Sequence, residues 1–102
     1  MMGLAVALAG CEEDPNRLPF DGFYFKSKTS KFKDGLDEFT VTVFEATRSL
    51  DGARQAAGFE GTRYCIANYG TSKIVWAVGP QTALDALSVS DDQVVFSGRC
   101  NP

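Results

Sequence analysis

Apolar and polar positions alternate along most of this chain, and one central stretch switches to helical spacing. Over residues 23–29, Phe23, Phe25, Ser27 and Thr29 fall on one side, while Tyr24, Lys26, Lys28 and the following Ser30 fall on the other. That pattern predicts a strand with its aromatic end buried. Residues 31–37 predict a hairpin loop turning at Asp34-Gly35, because glycine accepts the positive φ of tight turns. Residues 39–44 predict a second strand rich in β-branched side chains, with Phe39, Val41 and Val43 directed inward.

Ser49 is placed to cap a helix starting near Leu50, and Asp51 favours the positive end of its dipole. Ala53, Ala57, Gly61 and Cys65 recur at four-residue spacing, with Leu50, Tyr64 and Ile66 beside them. The result is an amphipathic helix with a narrow stripe of small residues, suited to close approach to a sheet. Gly70, after Asn68-Tyr69, is the expected C-terminal stop. Residues 73–78 predict a strand in which Ile74, Trp76 and Val78 share a face, ended by Gly79-Pro80. Residues 81–85 predict a loop or a single helical turn. Residues 87–89 and 93–100 predict a second hairpin with Asp91-Asp92 at its tip. In its last strand Val94, Phe96, Gly98 and Cys100 share one face.

The expected order is therefore β-β-α-β-β-β. It describes an α+β domain, an antiparallel sheet of four to five strands with one helix packed on one face, over residues 20–102. Residues 12–19 predict a linker, since Pro15 and Pro19 among mixed charges oppose both helix and strand. No internal repeat or low-complexity segment is visible. The length of 102 residues fits one domain. Such a chain buries only about 60–65% of the surface it exposes when unfolded, so a covalent staple would help.

Residues 1–10 are uncharged and apolar or small, and a polar, acidic run, Glu12-Glu13-Asp14-Pro15, follows Cys11. The apolar run is too short to span a bilayer and fits the core of a secretory signal. No Lys or Arg precedes it, and such signals are normally longer, which fits a reading frame that starts further upstream. The quartet Leu8-Ala9-Gly10-Cys11 resembles the lipobox of bacterial lipoproteins: an aliphatic residue, two small residues, then the cysteine that is lipidated and becomes the mature N-terminus. The resemblance implies that residues 1–10 are a signal-peptide remnant, that Cys11 carries lipid, and that 11–19 is a lipid-anchored linker. Two or more acyl chains give a lasting anchor where one gives a marginal one. Glu12 stands where the inner-membrane retention signal of this class has Asp, which weakly favours an outer-membrane, periplasm-facing destination.

The resemblance also bears on the odd cysteine count of three. With Cys11 taking lipid, Cys65 and Cys100 are left to pair in an oxidising compartment. Cys100 points where the core residues of its strand point, which is where the helix carrying Cys65 should lie. The other reading is two buried free thiols in a cytosolic protein.

Charge and chemistry narrow the function without naming it. Net charge is −3, with no basic excess to indicate a nucleic-acid partner. The chain has no histidine, which removes His-based acid–base and nucleophile pairs and most zinc sites. It has no Cys-x-x-Cys, phosphate-binding glycine loop or Gly-x-Ser-x-Gly elbow. Asp34, Asp37 and Glu38, and separately Asp91 and Asp92, are acidic groups in turns, where Asp is favoured for local hydrogen bonding. They lack the regular oxygen spacing of a calcium loop. No cofactor or metal is expected. Tyr64, Tyr69 and Trp76 either line a cleft between helix and sheet or are core residues, and their periodicity favours core. Arg63 and Arg99 are expected as surface charges.

Lys26, Lys28, Lys31 and Lys33, with Phe32 among them, form the candidate partner-binding patch, for anionic lipid head groups or an acidic envelope protein. The competing reading is a solubilised edge strand, whose lysines block strand-to-strand association. The expectation overall is a non-enzymatic, membrane-anchored envelope lipoprotein acting as a binding or structural module. An alternative is an inhibitor or regulator of a periplasmic hydrolase, inserting the tip at 34–36 or the loop at 80–85. A third, an acid-only enzyme, would need two buried, convergent carboxylates.

Overall fold

The computed structural model describes residues 18–32 and 35–102. Seven strands and one long helix follow in order: β1 (Pro19–Phe20), β2 (Phe23–Tyr24), β3 (Ser27–Phe32), β4 (Gly35–Phe44), α1 (Leu50–Tyr69), β5 (Ile74–Val78), β6 (Val89–Ser90) and β7 (Gln93–Cys100). The main sheet runs β3-β4-β7-β5, with β6 also paired to β7, and every pairing is antiparallel. Strands β5 and β6 lie one after the other along the same edge of β7, against its C-terminal and N-terminal halves. The fold is α+β, one helix on one face of an antiparallel sheet, as the alternation predicts.

The inward set is the expected one. Phe39, Val41 and Val43 on β4 and Val94 and Phe96 on β7 are fully buried, and each such side chain contributes about 1.5–3 kcal/mol by leaving water. Against them α1 lays Ala53, Ala57, Gly61 and Cys65. The small stripe lets the helix approach until aromatic rings of the sheet fill the remaining space. Phe39 contacts Tyr64 at 5.0 Å and meets Trp76 edge-on at 5.4 Å between ring centroids. Tyr64, Tyr69 and Trp76 thus pack on the core. Cys65 and Cys100 form a disulfide (S–S 2.01 Å, Cα–Cα 5.5 Å) that ties α1 to the end of β7.

The helix ends where its local chemistry says it should. The Ser49 hydroxyl accepts the Gly52 N–H at 2.9 Å and donates to Asp21, so the cap also holds the turn between β1 and β2. Gly70 adopts the left-handed conformation (φ 67°) and closes the C-terminus onto Ile66 and Cys65 carbonyls. At the tip of the second hairpin Asp91 and Asp92 both have positive φ, 54° and 64°, the backbone of a two-residue hairpin turn that follows the twist of its strands.

Three features differ from the expectation. Pro19 pairs with Tyr24 and Phe20 with Phe23, so the predicted linker reaches into a short hairpin turning at Asp21-Gly22. Pro19 is tolerated as the first residue of an edge strand, where its missing N–H costs no ladder bond. The strand predicted over 23–29 is split into β2 and β3. Finally, the loop expected at 31–37 is largely strand, with Phe32 paired to Gly35. The excess is absorbed on the partner strand, where residues 36–38 have no counterpart on β3.

Candidate binding surface

One face of the main sheet carries the helix and the other carries nothing among the described residues. The pairing register arranges this uncovered face in rows. Lys28, Thr42 and Val95 form one row, Ser30, Thr40 and Ser97 the next, and Glu38 and Val75 flank Arg99 in a third. Lys26 precedes this grid, its carbonyl accepting the Phe44 N–H at 2.9 Å. Val75 is 48% and Val95 47% exposed, large values for apolar strand residues. A shallow depression of about 370 Å³ lies between Val75, Ala77, Ser97, Arg99 and Glu38. One rim is the β5 irregularity between Trp76 and Val78, which leaves Ala77 without a β7 partner.

Strand parity divides the predicted lysine patch. Lys28 pairs with Thr42 and points to the uncovered face, whereas Lys31 pairs with Phe39 and lies on the helix side. Lys26 and Lys28 are exposed, as is Lys31. Lys33, the side chain of Phe32, the tip at 34–36 as side chains, and Cys11 lie outside what the structure describes. Of the described lysines, Lys26 and Lys28 stand with Arg99 on the uncovered face and Lys31 stands on the other. Arg99, expected only as a surface charge, is part of that surface. Its parity opposite Cys100 is the sequence signal that places it with Lys28.

A second, smaller groove of about 230 Å³ runs between α1 and the β3 edge, bounded by Thr29, Glu60, Arg63, Tyr64 and Asn68. Arg63 bonds Glu60 at 3.0 Å, so its charge is already paired. Burial pushes the Tyr64 phenol up from its usual value, with Tyr69 and Asp37 adding to it. Burial and then Asp37 do the same for Tyr69. Both phenols stay neutral at ordinary pH, and of the two Tyr64 borders the groove.

The remaining polar groups hold segments together. Asp92 accepts from both the backbone N–H (2.9 Å) and the hydroxyl of Thr47, and the two bonds hold its carboxyl below the usual Asp value, with Arg48 helping. The Arg48 guanidinium stacks over Phe23 and Phe25 at 5.3 and 5.0 Å and bonds the Tyr24 carbonyl. The 3-10 turn Ala46–Arg48 is thereby fastened to β2 and to the β6–β7 turn. Among the described residues no group of three or more His, Cys, Asp or Glu converges. No described helix is long and apolar enough to cross a membrane. Comparison with protein families, with curated proteins and with solved structures finds no match to this chain.

Proposed function

We propose that the chain is a lipid-anchored protein of a bacterial cell envelope, held at the periplasmic face of a membrane by acyl chains on Cys11 and acting by binding. The observation that carries this reading is the cysteine arithmetic. Cys65 and Cys100 are joined to each other, which leaves Cys11 as the one cysteine outside the disulfide, at the end of a lipobox-like quartet. Disulfides persist in oxidising compartments and are rare in the cytosol, so staple and signal favour the same location. Glu12 favours the outer membrane over the inner.

Intact mass of membrane-extracted protein tests both halves. The expected species begins at Cys11, carries acyl mass there, and gains the mass of two hydrogens on reduction. A soluble species that retains residues 1–10 and carries no acyl group would overturn the reading.

A second reading, inhibition of a periplasmic hydrolase, is favoured by residues 79–88. The base of this excursion is fixed: the Gly79 N–H donates to Thr82 Oγ1 at 2.8 Å, and Arg54 donates to the Thr82 carbonyl at 3.0 Å. Its 3-10 turn Leu84–Ala86 presents Leu84 to solvent, a rigid loop with an apolar tip of the kind that enters a cleft. Activity assays of periplasmic hydrolases with and without the protein, and with Leu84→Ser, separate the two readings.

A further inference from the structure

We infer that the uncovered face of the sheet lies against anionic phospholipid head groups when the chain is anchored. This rests on the lipid-anchor reading and adds an orientation to it. Two observations select the lipid surface as the occupant.

The first is charge. The chain is acidic overall, yet among the described residues this face carries Lys26, Lys28 and Arg99 against one carboxylate, Glu38. On α1 the charges cancel in pairs, Asp51 with Arg54 and Glu60 with Arg63. Asp21, Asp91 and Asp92 sit in turns beyond the ends of the strands. The uncovered face is thus the cationic side of an acidic protein, and cations near an anionic membrane are attracted within a Debye length.

The second is the tether. Seven peptide steps separate Cys11 from Leu18, a reach of at most about 25 Å. The described chain begins at Leu18, next to Pro19, and Pro19 pairs with Tyr24. Tyr24 on β2 is 47% exposed, and two residues on, Lys26 and then Lys28 of β3 are exposed, Lys28 on the uncovered face. The described chain therefore begins beside one tyrosine and two lysines, residue types that populate a membrane–water interface. Val95 on β7 and Val75 on the β5 edge add exposed apolar contacts to the same face.

The test places a reporter on each side. Acylated full-length protein carrying Val95→Trp (uncovered face) or Ile66→Trp (exposed side of α1) is reconstituted in vesicles. A lipid with a nitroxide on its head group is the quencher, and the wild-type Trp76 signal is subtracted. Vesicles contain either phosphatidylglycerol with phosphatidylethanolamine or phosphatidylcholine alone. In the anionic vesicles the sheet-face reporter is expected to be quenched and the helix reporter not, with quenching reduced by salt. Replacing Lys26, Lys28 and Arg99 by Ser lowers docking by about fivefold per cation. Thr42→Trp, one strand away, repeats the measurement should Val95→Trp fold poorly. Acylated protein in which the helix reporter is quenched as much as the sheet-face reporter, or in which neither is quenched because the face serves a protein partner, overturns the orientation and leaves the anchor standing. Absence of acylation in the mass spectrum overturns the anchor and the orientation together.

Discussion

Replacing Gly61 with alanine tests how the helix and sheet fit together. A Cβ built at Gly61 would lie 2.5 Å from Trp76 Cη2, 2.9 Å from its Cζ2 and 3.1 Å from Phe39 Cε2. Carbon atoms prefer about 3.5–4.0 Å, so the indole would have to retreat by about 1 Å. Phe39 meets its ring edge-on at 5.4 Å between centroids, which limits that retreat, and the indole lies over Gly98 of β7, where an added Cβ would come within 3.0 Å of Trp76 Cε3. Overpacking of this kind costs about 1–3 kcal/mol, and the better helix propensity of alanine returns up to about 1 kcal/mol. The expected net loss is about 1–2 kcal/mol, or a Tm lower by about 5–15 °C. Urea unfolding followed by the fluorescence of Trp76, the chain's single tryptophan, reads the loss directly. Trp76→Phe opens the space, so Gly61→Ala in that background should be neutral or stabilising when followed by circular dichroism. The coupling between the two sites should reach about 1 kcal/mol or more. If Gly61→Ala stabilises the wild-type chain, or the coupling falls below about 0.5 kcal/mol, the indole does not fill the groove against α1.

Three further outcomes are expected. In a chain carrying Cys11→Ser, replacing Cys65 and Cys100 by Ala removes a cross-link spanning 35 residues and lowers stability by about 4 kcal/mol in the chain-entropy model, read as a shift of the denaturant midpoint; a loss under about 1 kcal/mol contradicts that account. The Asp92 carboxyl, held low by Thr47, contributes stability that is complete above the ordinary Asp value and is lost as pH falls through its lower folded value. An NMR titration should find it below that ordinary value and move it upward in Thr47→Val, and no movement would dismiss the Thr47 contacts. Val41→Ala, on the buried side of β4, should cost about 2 kcal/mol, whereas Thr42→Ala, on the uncovered side, should stay within about 0.5 kcal/mol; equal effects in thermal unfolding would mean that the sheet is covered on both faces.

Most of the architecture is legible in the sequence because one face of each strand has to be apolar. The alternation in 39–44 and 93–100 identifies the inward residues Phe39, Val41, Val43, Val94 and Phe96 individually, and four-residue spacing of Ala53, Ala57, Gly61 and Cys65 identifies the helix stripe. Parity on β7 brings Cys100 to the side of Cys65, and the bond is there. What escapes the alternation is set by pairing rather than by composition. Pro19 argues for a linker, but two ladder positions and the Asp21–Ser49 contact are enough to fold residues 19–24 into a hairpin. The loop signal at Asp34-Gly35 extends too far because irregular pairing over 36–38 leaves no mark in the alternation. The lysine run reads as one patch only when proximity in sequence outweighs parity. Lys28 and Lys31 differ by an odd number of positions and fall on opposite faces.

The two faces of the sheet differ in kind, and that difference bears on how the uncovered one is used. Toward the helix stand Phe39, Val41, Val43, Val94 and Phe96, which would be costly to expose. Away from it stand Ser30, Thr40, Thr42, Ser97 and Arg99, with Val75 and Val95 among them. Threonine is β-branched and supports a strand as valine does, yet its hydroxyl satisfies water, so the face is stable when bare. Permanent interfaces resemble a divided protein core and are more apolar than this. The composition therefore supports contacts that form and release, each weak by itself. An anchor at Cys11 would change the consequence of that weakness, because a short tether makes surface docking intramolecular and raises its effective concentration. Lengthening the segment between Cys11 and Leu18 with a flexible insert should then lower the docked fraction while leaving thermal stability unchanged. A docked fraction indifferent to tether length would mean that the face holds its partner without help from the lipid.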